Sequence, residues 1–240
     1  MSSLSTADLL GTLQKDPRAL EMFRYLSQGA SIRVINYHNT EPRDIPRFER
    51  EIAYYAEHFQ PVTVRDLDEF FATGRWPYER PGLIPAFFEG FRNHYDVVFP
   101  ILEKYHFTGW FYIPSFFLDV PVPEQLEFSK AHELDVIDES AYPDGRFAMN
   151  WDELREISHS HEVCCHSGTH FQIFCDTPDE DMHREIVLAK RRLQEQLDKT
   201  VDVFCWLYGE EYGYNTRAHK YLEEAGYRYV LSNLKMEKIR

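Results

Sequence analysis

Positive charge is scarce in this 240-residue chain. The 26 Lys and Arg stand against 40 Asp and Glu, a formal charge of −14. That balance argues against a nucleic-acid binder, which needs a cationic surface to displace counterions from phosphates. It argues equally against an anionic membrane surface as partner. Cysteine is also scarce, with four residues, two of them adjacent (Cys164 and Cys165) and unable to bridge each other easily. No disulfide framework follows from so few in a chain this long, and a reducing, cytoplasmic compartment is the expectation. No stretch approaches the roughly 18 apolar residues of a membrane span. The opening MSSLSTADLLGTLQKD has neither a basic start nor a long apolar run, so it reads as no secretory signal. Internal repeats and low-complexity segments are missing too. What is plentiful is apolar: 43% of residues are hydrophobic and 15% aromatic, enough for a large core.

Residues 6–28 carry Leu9, Leu10, Leu13, Leu20, Phe23 and Leu26 near a helical period, broken by Pro17 and stopped at Gly29. We read residues 1–30 as an N-terminal helical extension and 31–240 as one domain. Strands are expected at 32–38, 61–64, 83–88, 108–113, 162–165, 203–208 and 227–232. Helices are expected at 46–59, 65–73, 93–106, 151–161, 179–199 and 215–226, the second stopping near Gly74 and the last running from an Asn215 cap to Gly226. Pro85 is unusual for a central strand. Residues 114–150, with four prolines, read as a long irregular loop with one short helix. Alternating strands and helices imply parallel pairing with right-handed crossovers. The fold class is α/β, a single distorted barrel whose site lies on the loops after the strand ends.

Those strand ends hold the chemistry. Tyr37-His38, Phe88-Glu89-Gly90, His166-Ser167-Gly168-Thr169-His170 and Tyr208-Gly209-Glu210-Glu211 each follow a strand. An H-x-x-x-H spacing is weak by itself among 11 histidines. Directly after a buried strand, its two imidazoles can face one metal, and Glu89 can add a carboxylate. Two His and one carboxylate leave positions open for water or substrate. The competing reading is a pair of loop histidines hydrogen-bonded to backbone. The aromatic surplus (Trp110, Phe111, Tyr112, Phe116, Phe117, Trp206) reads mostly as core, with a sugar-stacking cleft as the alternative.

The segments INYHN, WPYERPGLIPAFFEGFRNHYDVVFPILEKYHFTGWFYIP, WDELREISHSHEVCCHSGTH and FCWLYGEEYGYNTRAHKYLEEAGYRYVLS resemble, in order, the blocks of the polysaccharide deacetylases (the NodB-homology family, carbohydrate esterase family four). The similarity runs from about residue 32 to 232. It implies a distorted (β/α)7 barrel and hydrolytic removal of acyl groups from amino sugars. It also implies a divalent metal of the zinc type, with Fe, Co or Ni as alternatives. The H-S/T-x-x-H block is matched in full at His166, Ser167, Thr169 and His170, and the aromatic-Tyr-Gly block survives at Tyr208-Gly209. The family's T-F-D-D-G stands as Ala86-Phe87-Phe88-Glu89-Gly90. By this resemblance the metal ligands are Glu89, His166 and His170, and a backbone N–H near Tyr208 helps hold the oxyanion.

Two departures matter. Phe88 occupies the position of the general base, and a phenyl ring accepts no proton. The family's late histidine acid has no counterpart, since no His follows His219. Cys205 stands where one branch of the family has an arginine. Glu89 itself, His38, Glu210 and Tyr208 are the residues left for catalysis. Two readings stay open: a metal-dependent hydrolase of a C–N bond in a small or amino-sugar substrate, and an inactive barrel that binds or scaffolds. Phe88 and Glu89 suggest a drier mouth than the family norm, and hence a smaller or less polar substrate. Self-association is left open.

Overall fold

The computed structural model describes residues 31–209, 216–232 and 235–239. The 1–30 extension, the Asn215 cap and both glutamates after Gly209 lie outside the described residues. Seven parallel strands form the sheet: β1 (Ile32–Tyr37), β2 (Gln60–Pro61), β3 (Gly82–Phe88), β4 (Trp110–Ile113), β5 (Glu162–Cys165), β6 (Val203–Cys205) and β7 (Tyr229–Leu231). An eighth, β8 (Met236–Lys238), pairs antiparallel with β7. The spatial order is β1-β3-β4-β5-β6-β7-β8, with β2 added on β3. Among the described residues β1 pairs with β3 alone, so the barrel is open between β1 and the β7–β8 pair. This is the distorted α/β barrel that the alternation of elements predicts.

Period-two alternation divides the strand side chains between two cores. Ile84, Ala86 and Phe88 of β3, Trp110 and Tyr112 of β4, Cys164 of β5 and Tyr229 and Leu231 of β7 fill the barrel interior. Leu83, Phe87, Phe111, Phe204 and Val230 face the surrounding helices. Trp110 is fully buried inside and donates its indole N–H to Val62 O at 2.7 Å. Trp110→Ala leaves both a cavity and an orphaned carbonyl. A loss of about 3–5 kcal/mol is expected, measured as a lower urea midpoint with unchanged slope.

α1 (Ile45–His58) buries Phe48 and Ile52 against the outside of the sheet. α2 (Val64–Thr73) crosses the floor of the barrel, with Val64 and Leu67 in the interior core. It opens with a Thr63–Asp66 capping box and closes on Gly74 at φ 65°. The cap explains why PVTV is not a four-residue strand: Thr63 caps and Val64 is already helical. Pro85 is tolerated because it falls where the partner on one edge of β3 changes from β2 to β4.

The expected helix at 93–106 is a π-helical turn, His94–Val98, leading into α3 (Phe99–Tyr105). Pro100, near the start of α3, has no N–H for the regular ladder. The 114–150 region is more ordered than its prolines suggest, with α4 (Gln125–Ala131) at its centre. α5 (Trp151–Ile157) is capped by Asn150 and Glu153. The long charged helix divides into α6 (Asp179–Met182), a π-helical stretch His183–Leu188, and α7 (Ala189–Leu197). α8 (Thr216–Ala225) precedes β7. No helix among the described residues is long and apolar enough to cross a membrane.

Candidate active site at the barrel mouth

The ends of β1, β3 and β5 bring His38, Glu89, His166 and His170 to one mouth. β3 ends in a sharp turn, with Glu89 at φ 81° and Gly90 at φ 67°. A left-handed glutamate is strained by about 1–3 kcal/mol. The turn is held by Glu89 N–H donating to Tyr112 O at 2.9 Å. After β5 the chain again turns left-handed, at Ser167 (φ 63°) and His170 (φ 61°).

Glu89 is 5% exposed, and its two oxygens have different surroundings. Oε1 lies 2.7 Å from His38 Nδ1 and 3.8 Å from His170 Nε2. Oε2 is buried without a partner among the described residues. The hydrogen bond to Glu89 raises the His38 pKa against the opposing effect of burial.

His166 and His170 are buried and neutral at pH 7. Burial, then the neighbouring His170, pushes His166 down to about 3. Burial likewise lowers His170. His166 Nδ1 lies 3.1 Å from Cys205 O, and His170 Nδ1 lies 2.7 Å from His132 O. A carbonyl only accepts, so each Nδ1 carries the proton and each Nε2 keeps its lone pair. The rings lie 5.2 Å apart, centroid to centroid. This is how histidine ligands are held from behind.

Phe88 fills the space between these groups. Its ring stacks on Tyr112 (4.8 Å, 10°) and on His38 (5.4 Å, 24°), and meets His166 edge-on at 5.2 Å. No proton acceptor therefore exists where the family has its base.

The donor chemistry suits a divalent cation: two neutral imidazoles with free Nε2 atoms and a buried carboxylate oxygen with no partner. Among the described residues, however, no three His, Cys, Asp or Glu side chains are gathered closely enough to form a ready-made metal cage. Glu89 is turned towards His38 instead.

The mouth opens on a cleft of about 1460 Å³ whose polar side includes His38, Glu89, His166, His170 and Tyr208. Its other wall is apolar, with Val34, Ile84, Phe88 and Leu231. Tyr208 is 48% exposed and adopts φ 55°. Its hydroxyl donates to Glu133, which pushes its pKa up to about 12. Glu210 lies outside the described residues. Three contributors escape a reading by motif. His132 offers only a backbone carbonyl, from the region expected to be irregular, and Cys205 does the same from β6. The third, Glu185, belongs to no motif, and its one signal in the sequence is an acid sharing a helix face with Met182, Ile186 and Ala189.

The chain matches the polysaccharide deacetylase family over residues 84–230, well over half its length. It is similar in structure to the Streptococcus pyogenes deacetylase PplD in complex with acetate (TM-score 0.61, 12% identity, 84% of this chain and 82% of that one). It also resembles a de-N-acetylase from Aggregatibacter actinomycetemcomitans (TM-score 0.63, 17% identity, 87% and 90%). IcaB from Ammonifex degensii is a further neighbour (TM-score 0.62, 16% identity, 89% and 88%). At these identities the likeness is one of fold. No curated protein sequence matches. The strand-end histidines, the barrel and the sequence match agree, and the chain belongs to the polysaccharide deacetylase family.

Proposed function

We propose that the protein hydrolyses an acyl amide (C–N) bond in a small or amino-sugar substrate at this mouth. His166 Nε2, His170 Nε2 and the Glu89 carboxylate would hold a divalent ion, zinc or one of Fe, Co and Ni. When bound, such an ion polarises the substrate carbonyl and makes water more acidic. The chain's own groups supply the rest. His38, half-exposed on the cleft, takes the proton from water at Nε2 while Glu89 Oε1 holds its Nδ1–H and stabilises the imidazolium. It thereby replaces the base lost at Phe88, and the imidazolium returns this proton to the amide nitrogen as the C–N bond breaks and the amine leaves. Glu89 Oε2, turned from His38, remains for the ion. Tyr208 lines the same cleft, and by the family resemblance a backbone N–H near it would hold the oxyanion.

The observation that carries this reading is the 2.7 Å contact between His38 and Glu89 beside two neutral, lone-pair-bearing histidines. Protein purified without chelator is expected to contain about one ion per chain and to release acetate from acetylated amino sugars. His38→Ala should lower kcat about 10²–10⁴-fold and retain the ion, whereas Glu89→Ala should lose both. Full activity after chelation, or an unaltered rate in His38→Ala, contradicts the scheme. A binding or scaffold role is the second reading. It is favoured by one feature, the packing of Phe88 into the base position, and predicts metal-loaded protein with no hydrolysis of any acyl amide.

A further inference from the structure

Glu185, in the π-helical stretch between α6 and α7, is wholly buried (0% exposed) and belongs to no catalytic motif. Its carboxylate lies under the Ser167–Thr169 turn that joins the two site histidines. Oε2 accepts from Gly168 N–H at 2.8 Å and from Thr169 N–H at 2.7 Å. Oε1 accepts from Thr169 Oγ1 at 3.0 Å and from Arg184 Nε at 2.9 Å. Two successive backbone N–H groups converging on one anion form an anion-binding concavity. Here the anion is the protein's own side chain.

The opposite side of the turn is pinned as well. Ser115 N–H donates to Ser167 O at 3.3 Å and Phe116 N–H to Gly168 O at 2.8 Å. Gly168 is pressed so closely that a Cβ there would come within 2.5 Å of the Phe116 ring and 3.0 Å of Glu185 Oε2. A buried carboxylate is costly unless fully hydrogen-bonded, and these donors confine Glu185 to this one location. The turn has little freedom, and His166 and His170 are its two ends.

We infer that Glu185 is a positioning residue for this site: by clamping the Gly168–Thr169 backbone it sets the separation and ring orientation of His166 and His170. The metal arm of the test rests on the reading proposed above; the ring arm does not.

The ring arm uses nitrogen-15 imidazole NMR of the metal-free protein. Glu185→Gln replaces an acceptor oxygen with an amide group. It is expected to shift the His166 and His170 ring signals and leave His94 and His161 in place. In the metal arm, Co²⁺ affinity should fall about 10–100-fold and the visible spectrum of the bound ion should change, with Glu185→Asp recovering part of both. A folded Glu185→Gln protein with a lower melting temperature but unmoved ring signals would make Glu185 merely structural and overturn the proposal. Should Glu185→Gln not fold, Thr169→Val removes one of the clamp's donors. It must then move the His170 signals, and unmoved signals overturn the proposal equally. Wild-type protein that takes up no Co²⁺ refutes the metal reading, while the ring arm still decides the role of Glu185.

Discussion

Phe88→Asp is expected to lower the melting temperature by about 6–20 °C and, because His38 already supplies the base in the proposed scheme, to leave hydrolysis of acetylated amino sugars within about tenfold of the parent protein; an inactive barrel that held its metal would instead gain hydrolysis. The stability loss follows from removing a buried ring that stacks on Tyr112 and His38. Truncating such a phenylalanine costs about 3–5 kcal/mol, and in a chain of this size each kcal/mol is worth about 2–4 °C. The new carboxyl also stands next to Glu89, and like charges so close raise the energy of the ionised pair. A gain belongs to the inactive barrel alone, in which the new carboxylate is the first proton acceptor, standing where the family has its base. The two readings separate here. A rate near the parent's with metal retained supports His38 as the base, whereas hydrolysis that starts only after the substitution marks the parent as the inactive barrel. Retained metal with no hydrolysis, before and after the substitution, leaves the binding barrel. Thermal denaturation and acetate release on one preparation give both numbers.

The second large effect is acid sensitivity. His94 and His161 are buried away from the proposed ligands, and burial pushes each from the ordinary 6.5 down to about 4. Between those values the unfolded chain takes up protons that the folded chain refuses. Stability is therefore complete above pH 6.5 and declines as pH falls towards 4. A shift of that size is worth about 3 kcal/mol per histidine, and two of them consume much of a typical 5–15 kcal/mol. His166 adds to the same slope in metal-free protein. His38 has the opposite sign, since its raised pKa stabilises at low pH and fades as pH rises through it. It is 57% exposed, however, and contributes little. Urea midpoints at pH 7.5, 6 and 5 are expected to fall steeply below 6.5. A flat midpoint down to pH 4.5 contradicts the burial argument.

The strand-end rule located His38, Glu89, His166 and His170 from sequence, because the first three directly follow short apolar runs, His170 stands four residues beyond His166, and parallel strands must all point their ends the same way. Helix stops at Gly74 and Gly226 were legible for a similar local reason: both adopt left-handed φ, which glycine accepts without penalty. The strand β8 was not legible. Met236, Glu237 and Lys238 carry too much charge in too few residues for a strand signal, and pairing with β7 alone makes them one. The π-helical turns were hidden because the apolar period continues through them. The site's supports were hidden more deeply: His132 and Cys205 act through backbone carbonyls, which no side-chain pattern records. The Glu89–His38 contact depends on the turn at Glu89-Gly90, whose geometry two residue names do not reveal.

The parallel pairing of β1 through β7 has a kinetic consequence. Ile32 meets Gly82 across β1 and β3, and Trp110 meets Glu162 across β4 and β5. In each case dozens of residues must be looped out before any ladder contact can form. Loop-closure entropy is then lost ahead of the stabilising contacts, which places the chain among slow folders and leaves strand edges such as β1 exposed to neighbouring chains while the sheet assembles.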